Sequence, residues 1–476
     1  MVVFDKVTEK IHSLGSPLAV KASLDSLPPS YPDSYTWQDI RAELITPGLV
    51  PGILVALLLP NHIQPHDTDD ADRTVVEMNV SRAILPESTN DEENDTIATR
   101  TLGLEVYRTI STQLSLHLTQ QALLTLAAFT READPWSTNG SLGLVTPILE
   151  SQVLADDKYE VRKTLIAETI LEDFIRPLFA KSKPEAITIS GRKTGYKNTE
   201  RKSAGADDSP ETKPWKYTAP YSITVFKWAV EKSDEQIISE NWPLYIPVLV
   251  TLAEDPDTTI RARGLKILLE FLSKFPNKSL AETGLGQVFT DAVMPTLSYL
   301  PGLTPADESV QLLKPAYSNL VVLSRKLYPE ARYSAEKGCY LDRVLRDGVF
   351  TGYDHSKEHV KVAEVLVNAS MEIVEEMGIY SIKHLKILQY LFNMYSPILD
   401  DPFSTSHPSS LIAATKAVQI VLRNCWPRMD QKHYQDEIVK MLTLSWINIL
   451  DDVELAKNDP SMARLENHFR KELQLS

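Results

Sequence analysis

Two well-separated turns share one pattern, and that pattern restricts the fold more than any other feature of the chain. In the first, Asp156-Asp157-Lys158-Tyr159-Glu160-Val161-Arg162 leads into KTLIAETILEDF; in the second, Asp255-Pro256-Asp257-Thr258-Thr259-Ile260-Arg261 leads into ARGLKILLEFL. Each closes an apolar helix with an aspartate, then sets a β-branched residue and an arginine at matching offsets into the next helix. The aspartate can accept main-chain N–H bonds where the second helix starts, and the β-branched side chain can pack between the paired helices. The arginine can reach an aspartate of the neighbouring pair. Ile398-Leu399-Asp400-Asp401 and Ile449-Leu450-Asp451-Asp452 read as two further helix ends. A recurring helix–turn–helix unit predicts an array in which each pair buries its apolar face on the next.

The periodicity between the turns agrees. Leu104, Tyr107, Ile110, Leu114 and Leu118 step by three and four, which places them on one helix face, and the same stepping marks Val360 to Met377. Breakers such as Ala133-Asp134-Pro135 end helices without offering hairpin turns. The 476 residues exceed one ordinary core but suit a repeat array, and 43% hydrophobic with 24% charged residues is a foldable balance. With 49 basic against 64 acidic side chains, the formal charge of -15 repels phosphate backbones and anionic lipid. Neither nucleic acid nor a membrane is therefore an expected partner. The run Leu49 to Leu59 falls short of the roughly 20 apolar residues of a membrane span. The start, MVVFDKVTEK, carries Asp5, Lys6 and Glu9 where a signal peptide would be apolar. Cys339 and Cys425 alone make no disulfide framework. The expected location is the cytoplasm and nucleus.

Two segments break the helical pattern. Ser88 to Thr96 is acidic and poor in apolar residues, and residues 181–212 are polar, with SGRKTGYKNTERKSAGADDSPET inside them. The expected organisation is an N-terminal set of helical repeats, 1–180, with an acidic loop at 88–96; a polar insert, 181–212; and C-terminal repeats, 213–476. Trp215, at the end of the insert, is the candidate for a partner contact, since an exposed ring at such a place is a frequent anchor.

The two Asp-turn-Arg units resemble the turn of HEAT repeats, which implies an all-α fold: a HEAT-type α-solenoid of antiparallel helix pairs. From Trp242 to Pro329 the chain reads WPLYIPVLVTLAEDPDTTIRARGLKILLEFLSKFP, and then continues through Glu282-Thr283-Gly284-Leu285, Val288-Phe289, Leu303-Thr304-Pro305, Glu308-Ser309 and Ala316-Tyr317. This core, 242–329, resembles the Tel-two-interacting protein two family, especially its fungal members, with a fainter echo at Lys213-Pro214-Trp215-Lys216. The resemblance implies the smallest HEAT subunit of the TTT co-chaperone complex, bound directly to the large HEAT subunit and through it to the Tel-two protein. It further implies a non-catalytic adaptor that works with the heat-shock chaperone and R2TP machinery on phosphatidylinositol-3-kinase-related kinases. A HEAT-type carrier or scaffold of another family is the alternative. From the residues alone, Gly284 and Gly286 permit positive φ or close helix approach, and Thr304-Pro305 fits an N-cap threonine with proline at the first helical position.

The sharpest enzymatic pattern is His355-Ser356-Lys357-Glu358-His359, which matches H-x-x-E-H, two zinc-binding histidines four apart on one helix beside a catalytic glutamate. Asp354 reads as the cap of a helix starting there, which would leave both histidines in a solvated first turn, so a zinc hydrolase is the lesser reading. His62 and His66 beside Asp67, Asp69 and Asp70 are a weaker metal candidate. Ser190-Gly191-Arg192-Lys193-Thr194-Gly195 lacks the order of a phosphate-binding loop, and no G-x-S-x-G elbow occurs. No cofactor, metal site or catalytic residue is expected. The residues expected to matter are structural: Asp156, Val161 and Arg162, and Asp255, Ile260 and Arg261.

Overall fold

The structure, a computed structural model, describes residues 36–38, 41, 70–86, 94–182, 208–329, 334–383 and 385–455. Among the described residues the chain is helical and no strand occurs. It divides into two compact units, the first of residues 1–183 with 205–248, the second of 184–204 with 249–476. Most of residues 88–96 lies outside the described residues, but helix α2 already begins at Asn94, inside the stretch expected to be a loop. The insert is likewise outside from 183 to 207. Its two edges are ordered parts of the first unit: a helical turn ends at Ser182, and Asp208 binds Lys213 and Lys216 at 3.2 and 2.9 Å.

In the first unit, α1 (Asp70–Ile84) packs on α2 (Asn94–Arg108) and on α3 (Gln120–Ala127), and α2 packs on α4 (Asn139–Leu149). The next helix, α5, runs as Tyr159–Thr164, a wider-wound Leu165–Ile175 and Arg176–Phe179, and it meets α3 and α6 (Ser222–Lys232). Local chemistry starts these helices where the sequence changes. The Thr119 hydroxyl accepts from Ala122 N–H at 3.3 Å, and Thr138 and Ser141 form a reciprocal capping box. Helix α7 (Glu235–Glu254) follows, with Pro243 and Pro247 inside it; its residues to Val248 belong to the first unit and those from Leu249 to the second.

The second unit shows the repeat plan most directly. Helix α8 (Thr258–Lys274) packs on α10 (Ala306–Leu327), α10 on α12 (Val360–Met377), and α12 on α14 (Pro408–Cys425). Between them lie α9 (Leu285–Val293), α11 (Ala335–Arg343, extended by Val344–Phe350 and Thr351–Ser356) and α13 (Leu385–Leu399). The last helix, α15 (Lys432–Leu455), packs on α13. Every second helix thus touches the next of its own row, the plan of an α-solenoid. Lys361 of α12 reaches Asp307 of α10 at 3.0 Å, and Ser409 of α14 reaches Glu364 of α12 at 2.7 Å, so the first turns of these three helices lie side by side.

Several local expectations shift by small but physical amounts. Helix α10 begins one residue later than Thr304-Pro305 suggested: Pro305 is the flanking residue, and no side chain caps it. Ile449-Leu450-Asp451-Asp452 is no helix end, since α15 runs through it. Gly284 adopts φ 70°, which favours glycine, and ends the turn of helix before α9. Gly286 answers the other need, because a Cβ there would fall 2.2 Å from the Leu327 side chain.

Candidate functional site

The two repeat turns that organise the sequence use their arginines differently. In the first unit, Asp156 is exposed, Val161 is half-buried, and Arg162 reaches Asp234 at 3.3 Å while its guanidinium lies 5.3 Å from the Tyr159 ring centre. Asp234 in turn accepts the Ile237 N–H at 2.8 Å at the start of α7. Here the arginine does reach a neighbouring aspartate, as its position in the motif implies. Beside it Lys163 pairs with Glu240 at 2.7 Å, which holds the Glu240 carboxyl below its ordinary range.

In the second unit the expected partner is replaced by main chain. Arg261 is buried, and it donates to the carbonyl oxygens of Asp255 and Glu254, both at 2.9 Å, and to the Thr296 hydroxyl at 3.4 Å. Its guanidinium sits 4.6 Å from the Tyr299 ring centre. The last carbonyls of a helix have no intrahelical partner, so the arginine satisfies the end of α7 as it starts α8. The capping role also moves. Asp255 is buried and accepts from Asp257 N–H at 3.0 Å, whereas Asp257 accepts from Thr259 and Ile260 N–H at 2.9 and 3.1 Å and caps α8. Ile260 is half-buried rather than enclosed between helices, because it stands at the third position of α8, near the open end of the pair.

Trp215 corrects its expectation most sharply. The ring is fully buried, stacked on Phe179 with centres 4.9 Å apart, and its indole N–H donates to Ser182 Oγ at 2.8 Å. It fastens the two edges of the insert to each other. It offers no surface to a partner.

The histidine pattern comes apart on inspection of the backbone. His355 lies in the last turn of Thr351–Ser356, whereas His359 flanks the start of α12, so a turn through Lys357 and Glu358 separates them. Asp354 belongs to the end of that first helix and caps nothing, which reverses its expected role. Four-residue spacing places two side chains on one face only inside one helix, and here the helix is broken. His355, Glu358 and His359 are all exposed. Among the described residues no group of three or more His, Cys, Asp or Glu side chains is placed to hold a metal ion. His62, His66, Asp67 and Asp69 lie outside the described residues, and Asp70 pairs with Arg73 at 3.3 Å. Cys425 is buried, and burial pushes its thiol up to about 12. No described helix is long and apolar enough to cross a membrane.

Other buried or half-buried polar groups were not singled out by the sequence, and each clamps helices. Asn319 of α10, fully buried, donates to Leu265 O of α8 at 2.8 Å and to Pro315 O at 2.7 Å. Glu376 of α12 accepts from Arg325 at 2.6 Å and from Lys337, and these bonds outweigh burial and hold its carboxyl below the ordinary range. In the first unit, burial raises the Glu77 carboxyl despite bonds from the Thr119 N–H at 2.8 Å and hydroxyl at 2.7 Å. The available signal was position: a lone Asn or Glu inside an apolar helix face must find a partner there. What these arrangements do chemically is fix helix spacing.

The comparison with known families extends the resemblance well beyond residues 242–329. The family model described as Tti2 family matches residues 122–406, well over half of the chain, and takes in parts of both units. This family supplies a subunit of the TTT complex, and it is of scaffold type. With an all-helical repeat fold and a match of this length, the chain belongs to the Tti2 family.

Proposed function

We propose that this chain is a non-catalytic adaptor of the TTT co-chaperone complex, in the cytoplasm and nucleus, that supports the maturation of phosphatidylinositol-3-kinase-related kinases. It binds the large HEAT subunit directly and the Tel-two protein through it, and it meets the heat-shock chaperone, R2TP and kinase clients only within that assembly. The family match over residues 122–406 carries this reading. The helix rows of the second unit support it. Stacked repeats present a long continuous surface, the form a stable interface of on the order of 1,000 Å² or more requires. The net charge of -15 further favours protein partners over nucleic acid.

The test is depletion of the chain in its host followed by immunoblotting of the kinases. Kinase levels should fall severalfold while their transcripts stay constant, and re-expression of the chain should restore them. Unchanged kinase levels after complete depletion would refute the adaptor role.

A further inference from the structure

The first turns of the row helices in the second unit form one continuous edge. Thr258 of α8 donates to Glu308 of α10 at 2.7 Å, Lys361 of α12 pairs with Asp307 of α10 at 3.0 Å, and Ser409 of α14 donates to Glu364 of α12 at 2.7 Å. At about 8–10 Å between packed helices, these neighbouring turns extend over about 25–30 Å. That length suits one side of a standard protein interface, about 800 Å² per partner.

Large apolar side chains stand out from this edge at the start of three successive row helices. Leu303 precedes α10 and is 95% exposed, Val360 opens α12 at 37%, and Phe403 precedes α14 at 79%. Single exposed apolar residues are common on any protein, but a set in step along neighbouring repeats forms a patch. The backbone fixes the outer two. Leu303 follows Gly302, whose φ of 110° favours glycine, and the N–H groups of Leu303 and Thr304 both donate to Leu300 O, at 3.3 and 3.1 Å. Phe403 N–H donates to Asp401 Oδ1 at 2.9 Å, Ser406 Oγ donates to Phe403 O at 2.6 Å, and Asn448 of α15 donates to Asp401 O at 3.3 Å. Turns held in this way present their side chains to a partner at little further cost in ordering. Charge selects the kind of partner. The edge carries Asp257, Asp307, Glu308, Glu358, Glu364 and Asp401 against Lys357 and Lys361. Helix N-termini favour acidic residues in first turns, and each N-terminus is equivalent to roughly half a positive charge. The N-termini of α8, α10, α12 and α14 together offset about two carboxylates, so the edge stays negative. A second copy of the chain, with its formal charge of -15, would set acid against acid here.

Taking the adaptor role proposed above as given, we infer that this edge, with Leu303 and Phe403 as its anchors, is where the chain docks on the large HEAT subunit. The surface it meets there is basic, with apolar residues among its lysines and arginines. Binding of the purified full-length chain to the purified large subunit, followed in real time by biolayer interferometry, tests this. Leu303→Ser with Phe403→Ser should weaken binding by at least about tenfold, mainly through faster dissociation. The melting temperature of the chain should stay unchanged, because both side chains already face solvent. Glu358→Lys should slow association by about threefold, and raising salt from about 0.05 to 0.5 M should slow association of the unaltered chain by about tenfold. Val439→Ser with Ile447→Ser, on the exposed side of α15, is the control and should bind as the unaltered chain does.

A loss below about tenfold in the Leu303/Phe403 variant would overturn the docking edge, as would association indifferent to salt or a larger loss in the α15 control. Light scattering of the chain alone checks the rival occupant: a dimer that the same variant dissolves would assign the edge to a second copy. Absence of binding by the unaltered chain would overturn the adaptor role together with this surface, whereas full binding by the Leu303/Phe403 variant would overturn the surface alone.

Discussion

Arg261→Ala should damage the second unit more than Ile260→Asp, although a charge placed on an isoleucine is usually the harsher change. Arg261 donates at 2.9 Å to two carbonyls at the end of α7 and lies 4.6 Å from the Tyr299 ring centre. A hydrogen bond from a charged donor contributes about 1.5–3 kcal/mol, and a ring contact of this type about 0.5–2 kcal/mol. The terms overlap, and water will reach one carbonyl after truncation, so a net loss of about 3–4 kcal/mol is expected. Ile260, by contrast, is half-buried and stands in the first turn of α8, where a carboxylate is favoured by the helix dipole. Its replacement by Asp should cost about 1 kcal/mol. Hydrogen exchange of α8 reads both: at about 1.4 kcal/mol per tenfold, Arg261→Ala should speed its slowest amides more than a hundredfold, and Ile260→Asp less than tenfold. Arg261→Lys should fall between them, since one ammonium cannot span both carbonyls with the fork geometry of arginine. An Arg261→Ala effect below tenfold, or an Ile260→Asp effect above it, would show that the arginine does not hold the turn.

Other consequences follow from single contacts. Gly264→Ala would place a Cβ 2.7 Å from the main-chain carbon of Leu252, so it should destabilise the second unit by about 1–3 kcal/mol in denaturant titration, despite the better helix propensity of alanine. Glu376 is held below the ordinary glutamate value of 4.5, so its stabilisation is present above that value and lost as pH falls through the folded value. Glu376→Gln should therefore flatten the acid limb of the stability–pH curve of the second unit; an unchanged limb would refute the pairing. Trp215→Ala should destabilise the first unit by about 3–5 kcal/mol, and Trp215→Phe by less, because phenylalanine keeps the stack on Phe179 but loses the bond to Ser182. Thermal melts read this, and full stability with lost partner binding would restore the role of surface anchor.

The legible part of the fold was the part written in spacing. Helix periodicity and Asp-turn-Arg offsets identified α5 and α8 and the arginine of the first turn, whose partner Asp234 is itself a helix-start aspartate. Partners that belong to the main chain leave no such mark, because every residue has a carbonyl; Arg261 looked like an ion-pair residue for that reason. Asp255 and Asp257 stand two residues apart, and only the start of α8 decides which of them caps it. Trp215 was misread because its stacking partner, Phe179, precedes the insert, and closing that long loop is a tertiary event with no local signature. His355 and His359 failed for the opposite reason. Their spacing was correct, but the helix it presupposed ends at Ser356.

The central claim is that this chain acts by holding the large HEAT subunit of the TTT complex. Purified full-length chain and that subunit should co-elute as a stable complex in size-exclusion chromatography coupled to light scattering, and the Tel-two protein should join only when the large subunit is present. Separate elution of the chain and the large subunit at micromolar concentration, or capture of the Tel-two protein by the chain alone, would contradict it.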